Sequence, residues 1–136
     1  MDTDVVVAGM RSPAGASATI LRSIRQGQAS LLLNVPLAME YEVVCQRADH
    51  RLAAGLTEQQ VDIFVSVVIA MAEPVETHFL WRPQLRDPND EMVLEAAVNG
   101  RANALVTFNL KAFGNAPGRF GVELLLPREA IGRIRR

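Results

Sequence analysis

Short apolar runs alternate with amphipathic stretches along the 136 residues, and this alternation predicts strands separated by helices. A β-branched run at 5–7 and a leucine run at 31–33 predict two buried strands. Three later apolar segments predict further strands, at 75–79, 104–107 and 122–126. Short apolar strands between helices are typical of a three-layer α/β/α fold, in which helices flank a mainly parallel central sheet.

Helices are predicted where apolar residues recur at helical spacing after a capping residue. Thr57 is followed three residues later by Gln60, which is the spacing of a capping box, and a strongly apolar helix continues from there. No repeat, low-complexity tract or linker divides the sequence, so we expect a single domain over 1–136. The other helix starts predicted in this way are Ser17, Pro36 and Pro127.

A further helix begins at Asp87, which suits the N-cap, while Pro88 suits the first helical position. Asp90 falls at the third position and lies, on a helical wheel, in the middle of the apolar stripe. Glu91 and Glu95 fall on the flank expected to face water. An inward carboxylate is costly unless something pairs with it, so Asp90 is either a capping residue or part of a site. The stripe consists of Val93, Leu94, Ala97 and Val98.

Composition limits the possible partners. The net charge is −1, so no strong overall field attracts nucleic acid or an anionic membrane, and any RNA contact requires a local patch. The lone cysteine, Cys45, cannot form an internal disulfide and is expected as a buried thiol in a reducing compartment. We expect a cytoplasmic protein without a membrane partner, because no signal-peptide pattern or membrane-length apolar run is present.

Candidate functional residues lie where the predicted elements begin or end. In open parallel sheets, sites form beyond the carboxyl ends of the strands. Thr107, Phe108 and Asn109 occupy such an end, and the helix that starts near Asp90 directly precedes that strand.

Earlier acids are candidates as well. Asp2 and Asp4 stand just ahead of the first apolar run, either as solvated terminal acids or as members of the site. Glu40 and Glu42 occupy opposite borders of the apolar stripe in the helix from Pro36, and the wheel alone does not choose between them.

Asp2, Glu40 and Asp90 are far apart in sequence, yet one end of a parallel sheet could collect all three. Clustered carboxylates repel one another, raise one another's pKa and call for a cation. Oxygen ligands suit Mg²⁺ or Mn²⁺, and such a metal activates water for attack on a phosphodiester. His50 and His78 lack partner ligands at metal spacing and are expected at the surface or at helix ends.

Sequence motifs of other enzyme classes are missing. The chain has no G-x-G-x-x-G after a strand, no Walker A motif and no G-x-S-x-G. Dinucleotide-binding, P-loop and nucleophile-elbow functions are therefore unsupported.

Four blocks of sequence, in order, resemble PIN-domain proteins, specifically VapC-like toxins of toxin–antitoxin systems. The resemblance implies a parallel sheet flanked by helices and a Mg²⁺- or Mn²⁺-dependent endoribonuclease. It assigns metal binding and catalysis to Asp2, Glu40 and Asp90, with Thr107 in support. Toxin members are usually homodimers, and a cognate antitoxin inhibits them. The matching blocks are 1–9 with 11–13, 37–44, 86–90 and 106–109.

The sequence departs from the family pattern at two places. Many relatives have an aspartate at or just after Asn109, and a further acid often stands at the position of Ala112. Asn109 is therefore a further, neutral candidate ligand, and the alternative function is a catalytically degenerate PIN-fold module for binding or dimerisation. Relatives also have several apolar residues before the first acid, so we expect a shortened first strand or a start upstream.

Other residues near the proposed metal ligands are candidates for supporting and substrate-binding roles. Asp4 and Asp87 are supporting candidates because they neighbour the proposed metal ligands. Arginine forks match phosphate oxygens, and the arginines near the proposed acids are Arg11, Arg82 and Arg86. Trp81 is a candidate for stacking on a base. A third possibility, a small α/β phosphoacceptor domain, lacks the lysine that such a site needs after a late strand.

Overall fold

The computed structural model describes residues 1–76 and 84–135. Over these residues, four short strands accompany a larger number of helices. The strands are β1 (Leu32–Leu33), β2 (Glu73–Pro74), β3 (Ala104–Val106) and β4 (Glu123–Leu125). The helices are α1 (Thr3–Arg11), α2 (Ala16–Arg25), α3 (Val35–Cys45), α4 (Ala48–Ala54), α5 (Glu58–Met71), α6 (Pro88–Asn99), α7 (Leu110–Phe113), α8 (Ala116–Arg119) and α9 (Pro127–Ile134).

The strands pair in parallel, which confirms the predicted α/β class. β1 pairs with β2, Leu33 lying opposite Pro74. β3 pairs with β4, Val106 lying opposite Leu125. In the described part of the chain these are two separate two-stranded sheets.

The β-branched run at 5–7, predicted as a strand, lies instead inside α1. Asp2 caps this helix by accepting a hydrogen bond from the backbone N–H of Thr3. Val5 and Val6 are fully buried, so tertiary packing outweighs the modest helical disadvantage of β-branched residues. Gly9 permits the crossing with α2, since a Cβ there would lie 2.7 Å from a methyl carbon of Leu21.

The predicted starts of two helices are wrong. Gly15, not Ser17, is the N-cap of α2, and Ser17 is buried in the first turn. The third helix begins at Val35 because Asn34 caps it, accepting from the N–H of Leu37 at 3.0 Å. The Asn34 amide also donates to the carbonyl of Met92 at 3.2 Å, which ties the start of α3 to α6.

Several predictions for the middle of the chain are confirmed. Thr57 and Gln60 form the reciprocal capping box, and α9 begins at Pro127. By contrast, the strand expected at 75–79 is displaced: β2 comprises Glu73–Pro74, Val75 and Glu76 are not part of a strand, and 77–79 lie outside the described residues. The short helix α4 had no counterpart in the prediction.

Glu91, expected to face water, is buried. Its carboxylate accepts hydrogen bonds from the backbone N–H groups of Gln84, at 3.0 Å, and Leu85, at 2.9 Å. A carboxylate can be buried at little energetic cost when its oxygens accept hydrogen bonds. The loop before α6 is thereby fastened to that helix.

The core lies among α1, α2, α3, α5 and α6, and residues of β3, β4 and α9 also contribute to it. Cys45 is buried as expected, and desolvation raises the pKa of its thiol to about 11. The buried Tyr41 hydroxyl donates to the carbonyl of Met1, which holds the first residues against α3. Within the described residues, no single helix has the length and apolar character to cross a membrane, and α4 with α5 qualifies only as a pair bent by 91°.

Candidate functional site

Acids from three helices line one open cavity of about 630 Å³. Asp2 and Asp4 come from the start of α1, Glu40 from α3, and Asp90 from the first turn of α6. Asn109, which follows β3, completes this wall. The convergence predicted for Asp2, Glu40 and Asp90 is therefore present, at the carboxyl end of β3.

Thr107 fixes the acids of α1 against the end of β3. Its hydroxyl donates to Asp2 Oδ2 at 2.7 Å and accepts from the backbone N–H of Asn109 at 3.0 Å. Asp4 Oδ2 accepts from the N–H of Phe108 at 3.1 Å and lies 3.4 Å from the same hydroxyl. Thr107 is fully buried, so these bonds hold both carboxylates in defined orientations.

The environment of the acids penalises negative charge. Burial raises the pKa of Asp4 to about 6, and the charge of Asp2 contributes in the same direction. Burial likewise raises the pKa of Asp90 to about 6, with smaller contributions from Asp2 and Asp87. The pKa of Glu40 is also raised, chiefly by burial. Such shifts are typical of carboxylates that share a site.

The structure chooses between the two acids of α3. Glu40 is half-buried and lines the cavity, whereas Glu42 is exposed on the other side of the helix. Glu40 Oε2 and Asp4 Oδ1 are buried and have no hydrogen-bond partner among the described residues. Buried carboxylate oxygens without a donor are destabilising on their own.

These features fit a divalent cation. Four carboxylates in one cavity supply hard oxygen donors, and two of their oxygens lack a partner. No three acidic, histidine or cysteine side chains among residues 1–76 and 84–135 are already grouped closely enough to hold a metal. The donor set is therefore suitable, and the side chains must draw together to coordinate an ion.

Basic side chains also line the cavity. Arg11, Arg47 and His50 line it, and a guanidinium nitrogen of Arg11 lies 3.2 Å from His50 Nδ1. Since arginine can only donate, His50 Nδ1 is the acceptor in this contact. His50 lies in the first turn of α4, near a helix end as expected, and is half-buried, whereas His78 lies outside the described residues.

The other predicted site residues lie elsewhere. Asp87 is exposed and caps α6, accepting from the N–H of Asn89 at 2.9 Å. Arg86 is exposed and does not line the cavity. Arg82 and Trp81 lie outside the described residues.

Sequence reasoning missed Arg47 and His50. Both come with α4, a short helix without an apolar stripe, so hydrophobic periodicity gave no signal for it. A weak signal existed in the cluster of charged residues directly after the predicted α3, namely Arg47, Asp49, His50 and Arg51.

A family model described as PIN domain matches residues 1–111, most of the chain. The chain belongs to the PIN domain family. PIN domains are typically nucleases and generally use divalent metal ions. The matched part contains every acid that lines the cavity. No curated protein and no solved structure matches the chain.

Proposed function

We propose that this PIN domain is a Mg²⁺- or Mn²⁺-dependent endoribonuclease of the toxin type. The observation that carries the proposal is the convergence of four carboxylates, from three helices, in one cavity at the end of β3. The raised pKa values of Asp4 and Asp90 and the unpartnered oxygens of Asp4 and Glu40 support a site built to receive a cation.

The carboxylates have different roles in the proposed metal site. Asp2, oriented by Thr107 and by the N–H of Thr3, is the fixed ligand. Glu40, which interacts with the Thr3 side chain, and Asp90 would complete the set of carboxylates that hold the ion. A bound divalent cation supplies charge that offsets the carboxylates and lowers the pKa of a coordinated water.

The basic residues of the cavity would bind the substrate. Arg11 and Arg47 line the same cavity as the acids, where their guanidinium groups suit the phosphates of a single RNA strand. Phe108, half-exposed at the rim, offers a ring for a base to stack on. The carboxylates repel phosphate, so a bound cation would be needed for the scissile group to approach them.

The toxin role extends the same proposal and rests on the resemblance of the four sequence blocks. It includes a homodimer and inhibition by a cognate antitoxin. Co-expression with its neighbouring gene product, followed by purification of a complex, is the direct measurement for this extension.

The test of the nuclease is a cleavage assay on structured and single-stranded RNA with Mn²⁺. Asp90→Asn and Glu40→Gln should each abolish cleavage, at a loss on the order of 100-fold or more. Glu42→Gln is the matched control, because Glu42 lies on the same helix outside the cavity. Cleavage that survives excess chelator would contradict the proposal.

One observation favours a second function, a degenerate PIN-fold module for binding or dimerisation. Asn109 contributes a neutral amide to the cavity, and no metal-ready group of three ligands exists among the described residues. Calorimetric titration with Mn²⁺ discriminates the two functions. Binding that requires Asp90 favours the nuclease, and its absence favours the module.

A further inference from the structure

Phe108 is a half-exposed aromatic ring that follows β3 and lines the same cavity as the acids. Thr107, directly before it, is fully buried, whereas Phe108 keeps 50% of its surface exposed. The backbone N–H of Phe108 donates to Asp4 Oδ2 at 3.1 Å. The ring therefore extends from a backbone that an acid of the site holds in place, and a group packed on the ring would lie close to the carboxylates.

Asn109 is the N-cap of α7, but its side chain makes no capping hydrogen bond to the described backbone of that helix. Asparagine is common at N-caps because its side-chain oxygen accepts from the first helical N–H groups. Here the carboxamide is exposed and lines the cavity instead. The hydroxyl of Thr107 accepts from the backbone N–H of Asn109 at 3.0 Å, so this backbone is held in place as well.

A ring and a carboxamide on consecutive residues match the two surfaces of a nucleobase. An aromatic side chain stacks on the face of a base. An asparagine carboxamide accepts a hydrogen bond and donates one, and adenine offers the matching pair, its N6 amino group and the ring nitrogen N7. A purine also covers more of the ring than a pyrimidine does, which favours stacking.

We propose that Phe108 and Asn109, together the base platform, select the nucleotide beside the cut: an unpaired adenine stacks on the Phe108 ring and pairs its edge with the Asn109 carboxamide. This inference rests on the proposed nuclease and narrows its substrate to single-stranded RNA with an adenine next to the scissile bond. The phosphate joined to that adenine is then directed toward the acids, and Arg11 and Arg47 bind phosphates elsewhere along the strand.

An adenine within a duplex does not fit the base platform, because neighbouring bases already cover both of its faces. Loops, bulges and strand ends expose a face without that cost. A cation alone does not account for Phe108 either, since a phenyl ring offers Mg²⁺ or Mn²⁺ no oxygen ligand.

The experiment measures binding of five-residue RNA strands in which only the central residue carries a base and the others are abasic, so that no second base can occupy the platform. The central base is adenine, guanine, cytosine, uracil, purine (adenine without its amino group) or none. Amide NMR of the full chain in Ca²⁺, a diamagnetic oxygen-binding cation, reports affinity and location together. The amides of Phe108 and Asn109 should shift saturably.

The adenine strand should bind most tightly. The strand without any base should bind on the order of tenfold more weakly, because stacking is lost. The purine strand should lie between them, several-fold weaker than adenine, because it stacks but does not donate from N6.

Two protein variants separate stacking from edge recognition. Phe108→Leu keeps an apolar side chain without an aromatic face and should reduce the affinity for the adenine strand to near that for the baseless strand. Asn109→Ala should bind the adenine and purine strands equally. Their matched controls are Phe120→Leu and Asn115→Ala, because Phe120 is 41% exposed outside the cavity and Asn115 is an exposed N-cap that likewise makes no side-chain capping bond. Both controls should keep the natural order of affinities.

Equal binding of the adenine and baseless strands, the result expected if a protein rather than a base covers Phe108, would overturn the proposal. Equal effects of Phe108→Leu and Phe120→Leu, or no saturable shift at Phe108 and Asn109, would overturn it too. No step measures cleavage. A chain that selects adenine but cuts no RNA would refute the nuclease alone, and a chain that cuts without base preference would refute the base platform alone.

Discussion

The hydroxyl of Thr107 donates to Asp2 Oδ2 at 2.7 Å, joining residues 105 positions apart in sequence. The bond runs from the end of β3 to the N-cap of α1, and Thr107 is fully buried. In an interior of low dielectric, one such donor both stabilises and orients a carboxylate. This hydrogen bond therefore brings the first and the last of the four PIN-like sequence blocks together at one side of the cavity.

Replacement of Thr107 tests this positioning role. Thr107→Val keeps the shape of the side chain but removes the donor, so Asp2 loses its fixed orientation. We expect Mn²⁺ affinity or cleavage to fall about 10- to 100-fold, as for other residues that orient metal ligands. Thr107→Ser keeps the hydroxyl and should therefore retain most of the Mn²⁺ affinity and cleavage. Equal behaviour of the valine and serine variants in a calorimetric Mn²⁺ titration would count against the role.

Asn109→Asp adds a carboxylate to the cavity at the position where many family members carry one. The extra negative charge should strengthen Mn²⁺ binding by about tenfold, because affinity for hard cations rises with the number of charged ligands. In the presence of chelator the same variant should melt at a lower temperature than the natural chain at neutral pH, since like charges repel. Thermal melts with and without Mn²⁺ measure both effects, and an unchanged affinity would refute the expectation.

Arg11→Ala tests whether the basic residues of the cavity bind RNA. Arg11 lines the cavity next to His50, so its loss should weaken the binding of single-stranded RNA and reduce the salt dependence of binding by about one charge. Arg128→Ala is the control, because Arg128 is exposed on α9. Fluorescence anisotropy over a series of salt concentrations gives the slope. A slope that changes equally in both variants would place RNA elsewhere on the surface.

The raised carboxyl pKa values predict how stability depends on pH without metal. Asp4 and Asp90 have pKa values of about 6 in the folded chain and near 3.8 when unfolded, so the folded state binds more protons between these values. The free energy of unfolding contributed by these groups therefore falls as pH rises from about 4 to about 6, and stays low above that.

Asp90→Asn isolates this effect from the other titrating groups. In chelator, the variant should melt above the natural chain by a margin that grows as pH rises from about 4 to about 6 and stays constant above that. Solvent screening of this half-buried acid limits the gain to roughly 1 kcal/mol, or a few degrees. With excess Mn²⁺ at neutral pH the order should reverse, because only the natural chain binds the ion. A constant margin at every pH would show that charge on Asp90 does not matter.

Much of the helical framework could be predicted from the sequence because its signals are local. Thr57 with Gln60, Pro88 after Asp87 and Pro127 each determine a helix start through bonds within a few residues. The convergence of Asp2, Glu40 and Asp90 was also predictable, since strand ends and helix starts meet at one edge of a parallel sheet.

Other features depended on tertiary contacts that no local pattern encodes. The valines at 5–7 suit a strand by composition, but the cap at Asp2 and packing on every side make them a helix. Glu91 looked solvent-facing on its wheel, yet the loop before α6 folds over it and donates backbone hydrogen bonds.

The sequence by itself determined the α/β class, most of the helix starts and the acids of the site, because caps, periodicity and residue chemistry act over a few positions. Only the tertiary structure decided that Glu40 rather than Glu42 enters the cavity, and that Arg47 and His50 line it together with the acids. These depend on which distant segments pack together, and that choice is made by burial across the whole chain.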